Sequence, residues 1–261
     1  MLKKLKIALG AALVAASQLA MADVAEVKIS NLKFEAFNGE WWADVPTWNT
    51  WAPPSGTTAH LDTPVFHHST SGRQGEALTS TVTDGTSQAQ ATLTQGNGAW
   101  WDASVLTLNN VTALASVNAV NGQSGWAYAN VFGGPVNGGG GQIQVGGNAT
   151  VRVSLTIDSL KVIGDMAQAG VSIQFCTWDT NVCDAASYAE ALVDSSWPTY
   201  TGPSVLTASW TNPGPTTWAR LHIGLNASAE SVTAVPEPST YALWLAGLGA
   251  VGAITRRRRR D

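Results

Sequence analysis

The sequence predicts an all-β protein, an antiparallel β-sandwich or jelly roll, with one hydrophobic helix at the C-terminus. Three observations predict it. Residues 151–157 alternate apolar and polar side chains, and 169–175 and 218–227 do the same. Successive side chains of a strand point to opposite faces, so a period of two marks a half-buried strand. Turn formers recur throughout, with 26 Gly and 11 Pro, and no sustained helical period appears before the tail. Many short strands separated by turns suit two packed antiparallel sheets. The run 241–254 carries no charge and reads as a helix.

Taken in order, 27–37, 77–82, 103–108, 111–120, 142–145 and 205–210 read as weaker strands. In 218–227, Leu221, Ile223 and Leu225 point one way, Arg220 and His222 the other. The Ala- and Glu-containing stretch 184–192 is expected to form a short helix. The glycine-rich stretch 133–141 is expected to be a loop, because its residues pack nothing and accept positive φ. The expected organisation is a signal peptide at 1–22, one β domain at 23–234 and a sorting segment at 235–261, with 230–238 as the linker between the last strand and the tail.

The N-terminus carries Lys3, Lys4 and Lys6, then an apolar stretch at 7–16, then Ala20-Met21-Ala22. That order is a secretory signal peptide with cleavage before Asp23. A twin-Arg pair is missing, which favours the general secretory pathway.

In the tail, Val235, Pro236, Glu237 and Pro238 precede the apolar run, and Arg256, Arg257, Arg258, Arg259 and Arg260 follow it. Two prolines disfavour helix in the residues before them, so this motif is expected to be extended and accessible. Ser239 or Thr240 suits an N-cap. The run is about 21 Å long as a helix, against a bilayer core of roughly 30 Å, and the arginine stems extend its reach. The arginines are expected on the cytoplasmic side. The three parts together resemble the PEP-CTERM sorting signal of Gram-negative bacteria. The resemblance implies export, a transient anchor in the bacterial inner membrane, processing by a membrane-embedded exosortase, and association with exopolysaccharide and biofilm at the cell surface or beyond.

Charge becomes lopsided without the two end segments. Of 14 Lys and Arg, three lie in the signal peptide and five in the tail, leaving six; of 18 Asp and Glu, only Glu237 and Asp261 lie in the tail, leaving sixteen. Residues 23–234 therefore carry a net charge near −10, although the whole chain carries −4. Nucleic acid is excluded as the natural partner of such a surface. Cys176 and Cys183 bracket a short polar stretch. A disulfide there suits an oxidising compartment and contributes roughly 2.5 kcal/mol in the chain-entropy model.

Chemistry-bearing patterns are sparse. There is no G-x-S-x-G, H-E-x-x-H or P-loop, and no cofactor is implied. Trp41, Trp42, Trp48, Trp51, Trp100 and Trp101 form pairs and a cluster; exposed indoles offer flat faces on which sugar rings stack, whereas buried ones are core staples. His60, Asp62, His67 and His68 read as a polar loop rather than a metal site, since adjacent histidines on a strand point apart. Asp179, Asn181 and Asp184 offer oxygens to Ca²⁺ but match no EF-hand spacing. Glu35, Glu40, Asp44 and Glu76 could supply a glycosidase pair, as carboxylates of any acidic domain could. The favoured expectation is a non-enzymatic exported surface or matrix protein. A glycan-binding module using exposed tryptophans is the alternative, and a secreted glycan hydrolase a further one.

Overall fold

A computed structural model describes residues 22–37, 55–62, 67–72, 77–94, 105–132, 141–177, 187–215, 217–231 and 247–248. Among them the chain forms β1 (Asp23–Phe37), β2 (Ser55–Leu61), β3 (His67–Gly72), β4 (Ala77–Asp84), β5 (Ser87–Thr94), β6 (Val105–Ala119) and β7 (Ser124–Phe132). Then follow β8 (Gly141–Val145), β9 (Thr150–Ile163), β10 (Ala167–Thr177), β11 (Tyr188–Asp194), β12 (Val205–Thr211) and β13 (Thr217–Glu230). They build two antiparallel sheets. The first runs β12-β9-β1-β6-β5-β4 and the second β11-β10-β13-β7-β2-β3, with β8 also paired to β13. The all-β expectation holds.

Alternation explains why each strand sits where it does. Val151, Val153 and Leu155 of β9 face inward, as do Val171, Ile173 and Phe175 of β10 and Leu221, Ile223 and Leu225 of β13. Side chains of both sheets join one buried apolar cluster. Each buried branched side chain contributes on the order of 1.5–3 kcal/mol by leaving water. Much of the core is alanine, including Ala59, Ala89, Ala91, Ala113, Ala115, Ala127 and Ala129, so the layers approach closely there.

Four expectations need correction. Residues 103–108 and 111–120 are not two strands: 105–119 is the single strand β6. The helix expected at 184–192 is not formed over its described part, where Tyr188–Asp194 is strand β11 hydrogen-bonded to β10. Ala191 and Val193 face the core and Glu190 and Leu192 face out, so pairing and burial override the helix propensity of Ala and Glu. His60, His67 and His68 lie on the paired strands β2 and β3, not in a polar loop. β2, β3, β5 and β7 lay outside every expected strand. β5 was hidden because its inward side chains include Ala89 and Ala91, which barely register as apolar. Of the expected glycine loop, only Gly141 is described, as the first residue of β8.

Strand irregularities have local causes. Asn31 adopts φ 54° where the β1–β6 register shifts, a bulge at a residue type that tolerates the left-handed region. Asn121 and Gly122, at φ 58° and 77°, turn the chain from β6 in one sheet to β7 in the other. Asn-Gly is the pair such a turn prefers. At the β3–β4 side, Thr57 Oγ1 lies 2.6 Å from Thr70 Oγ1 and 2.9 Å from Ser80 Oγ, and Ser80 donates to the Thr57 carbonyl at 2.9 Å. This hydroxyl triangle fastens one sheet to the other.

Candidate functional site

The outer face of the second sheet collects the unusual side chains. On β7 the alternation is inverted in size: Gly125, Ala127 and Ala129 face the core, whereas Trp126 and Tyr128 face out. A Cβ on Gly125 would meet Leu61 Cδ2 at 2.7 Å and the His60 carbonyl at 2.8 Å, so nothing larger fits inward. Trp126 is 41% exposed on a strand flanked on both sides. His60 of β2 stacks on it, with centroids 5.5 Å apart and planes at 27°.

Register aligns this ring with its neighbours. Trp126 is opposite Ser228, Ser228 opposite Gln168, and Gln168 opposite Asp194. With strands about 4.8 Å apart, the row from Trp126 to Asp194 spans about 14 Å. An open groove of about 570 Å³ runs along it, lined by Ser124, Trp126, Gln168, Ser228 and Glu230. Its further wall is Asp165, Met166 and the turn Asp194, Ser195 and Ser196. That wall is ordered: Asp194 Oδ1 accepts from the Ser196 and Trp197 amides at 2.8 and 2.9 Å, and Ser195 Oγ accepts from the Ala167 amide at 2.7 Å. Trp197, at 77%, is the most exposed of the large apolar side chains described.

Beside the groove, Tyr128 Oη and His222 Nε2 share a hydrogen bond of 2.9 Å. Both reach over Gly224, where a Cβ would meet each of them at 2.7 Å. Burial holds the Tyr128 phenol well above its ordinary pKa and lowers that of His222, so both are neutral over the physiological range. Asn130 is only 8% exposed, and its Oδ1 has no hydrogen-bond partner among the described residues. Around Trp126 the face carries neutral polar and aromatic groups, with carboxylates at the groove and no Lys or Arg among the described residues lining it.

The residues singled out from the sequence fare unevenly. Trp41, Trp42, Trp48, Trp51, Trp100 and Trp101 lie outside the described residues, as do Asp179, Asn181, Asp184, Glu40, Asp44 and Glu76. Glu35 pairs with Lys33 at 2.7 Å. His60 serves as the stacking partner of Trp126, and Asp62 accepts from Ser124 Oγ at 3.4 Å. Among the described residues no group of three His, Cys, Asp or Glu could hold a metal ion. Cys176, the last residue but one of β10, is not a free thiol, and Cys183 lies outside the described residues. Trp126 was passed over in the sequence, although the pattern Gly125-Trp-Ala-Tyr-Ala129 shows large aromatics alternating with small residues.

Val235, Pro236, Glu237, Pro238 and Arg256 to Arg260 lie outside the described residues; of the tail only Gly247 and Leu248 are described, both helical and exposed. No helix among the described residues is long and apolar enough to cross a membrane. Residues 234–260 match the PEP-CTERM protein-sorting motif. No curated protein matches the chain. Among solved structures, vicilins from Solanum melongena and from Corylus avellana (hazelnut) are each 6% identical, covering 80% of this chain and 72% of theirs with a TM-score of 0.10. A score so low carries no argument.

Proposed function

We propose that this is a non-enzymatic exported protein of the cell surface or extracellular matrix, associated with exopolysaccharide and sorted by its tail. The sorting motif over 234–260 is the observation that carries the reading. In this reading the general secretory pathway exports the chain, and the signal peptide is cut before Asp23. The apolar helix 241–254 then holds the protein in the inner membrane, with Arg256 to Arg260 on the cytoplasmic side. Exosortase processes the tail near Pro236 to Pro238. Cys176 and Cys183 bond to each other on export, as neither is expected to stay a free thiol in an oxidising compartment.

Supporting the placement of the first cut, β1 begins at Asp23, whose side chain is buried and whose Oδ2 accepts from the Met166 amide at 3.2 Å. Intact-mass analysis of the form exported by its native host tests the reading. The expected species begins at Asp23 and lacks 241–260. Extracellular material retaining the arginines would overturn it, and Glu237→Ala separates reading of the motif from anchoring.

A further inference from the structure

We infer that the groove beside Trp126 is a binding site for an uncharged or amine-bearing hexose polysaccharide. This deepens the export reading and rests on it, since only an exported face meets such polymers. The first argument is the inverted alternation of β7. Burial would place the indole inward, yet alanines point in and Trp126 points out, 41% exposed. Leaving a large ring in water forfeits burial, and the His60 stack fixes that ring in one orientation. A rigid, exposed indole face is what the C–H face of a pyranose packs on, while its hydroxyls need polar partners at the edges.

The groove supplies those partners. Ser228, Gln168 and Asp194 follow Trp126 in register, and Glu230 flanks them. The row of about 14 Å suits a short oligosaccharide segment lying across the strands. An open groove admits a polymer rather than a single enclosed sugar. The sign of charge selects the class: carboxylates without Lys or Arg repel uronate polymers and favour neutral or cationic ones.

Native affinity electrophoresis of protein produced from residues 1–261 tests the inference, in gels containing a neutral β-glucan, chitosan or alginate. The wild type should be retarded by β-glucan or chitosan and not by alginate. Trp126→Ala should weaken that binding about tenfold. Gln168→Ala, an exposed substitution that leaves the core alone, should weaken it too; Gln88→Ala, on the other sheet, should not. Circular dichroism checks that each variant is folded. No retardation in the β-glucan and chitosan gels, unchanged retardation of Trp126→Ala and Gln168→Ala, or preferential retention by alginate would each overturn the site. Self-association through this face without retardation would do the same. The mass of the exported form is a separate readout, so a failed site leaves the sorting reading standing.

Discussion

At the scale of single residues, Asn212 is the busiest polar side chain described. It is buried, and its Nδ2 donates toward the carbonyls of Val145, Gly146 and Pro215 at 3.1, 3.0 and 2.7 Å, while its Oδ1 accepts from the Gly214 amide. It ties the β8–β9 turn to the β12–β13 turn. Asn212→Ala strands buried carbonyls and should cost about 1–3 kcal/mol in urea unfolding. His222 makes stability depend on pH. Burial lowers its pKa below the ordinary 6.5, so the unfolded chain takes up the proton more readily. Its contribution is fully present above about pH 6.5 and is lost as pH falls through the lowered folded value. Thermal melts from about pH 8 to 4 should show a larger loss for the wild type than for His222→Gln; equal losses would remove His222 as a cause.

At the scale of elements, β7 sets outward aromatics against inward alanines, and the two faces should differ in how much a substitution costs. Trp126→Ala should cost only about 1 kcal/mol, mostly the lost stack on His60. Ala127→Leu should cost about 1–3 kcal/mol, because the layers leave no room for it. Denaturant titration of both variants checks the ranking, and the reverse order would mean that Trp126 is a core residue. The same strand shows why part of the site was illegible. An apolar-polar alternation was sought, and β7 alternates by size. In contrast, β9, β10 and β13 carry Val, Ile, Leu and Phe inward against polar residues outward; β10 and β13 were read close to their true limits, and β9 over its first half, 151–157 of Thr150–Ile163. β11 was misread because its local composition favours helix, and only hydrogen bonding to β10 decides otherwise.

At the scale of the molecule, both ends of the described β body meet at one turn. Asp23 accepts from Met166, the Glu230 amide donates to the Met166 carbonyl at 2.8 Å, and Ser231 donates to the Gln123 carbonyl at 2.9 Å. Gly164, beside Met166, holds φ 103°, and a Cβ there would overlap the Asp23 carboxylate. Gly164→Ala should therefore loosen the junction of the two termini, at about 1–3 kcal/mol in thermal unfolding. The body is still packed at Ser231, and four residues later comes Val235, at most about 14 Å of extended chain. The processing enzyme must then work close to a folded surface. Deleting residues 232–234 should leave the tail uncut, while inserting a short Gly-Ser segment there should be tolerated. The mass of the exported product reads both, and normal cutting of the deletion would show that the body does not limit access.

The sequence by itself determined the destination and the class of fold. A sorting motif is read by its linear order of residues, and a strand's two faces are written in the chain at period two, so neither needs distant partners to be seen. Tertiary structure decided which face stays wet. Trp126, Ser228, Gln168 and Asp194 come from four strands scattered over about a hundred residues, and only the order β11-β10-β13-β7 puts them in one row. That order depends on which strands pair, a property of the packed whole that no local stretch of the chain contains.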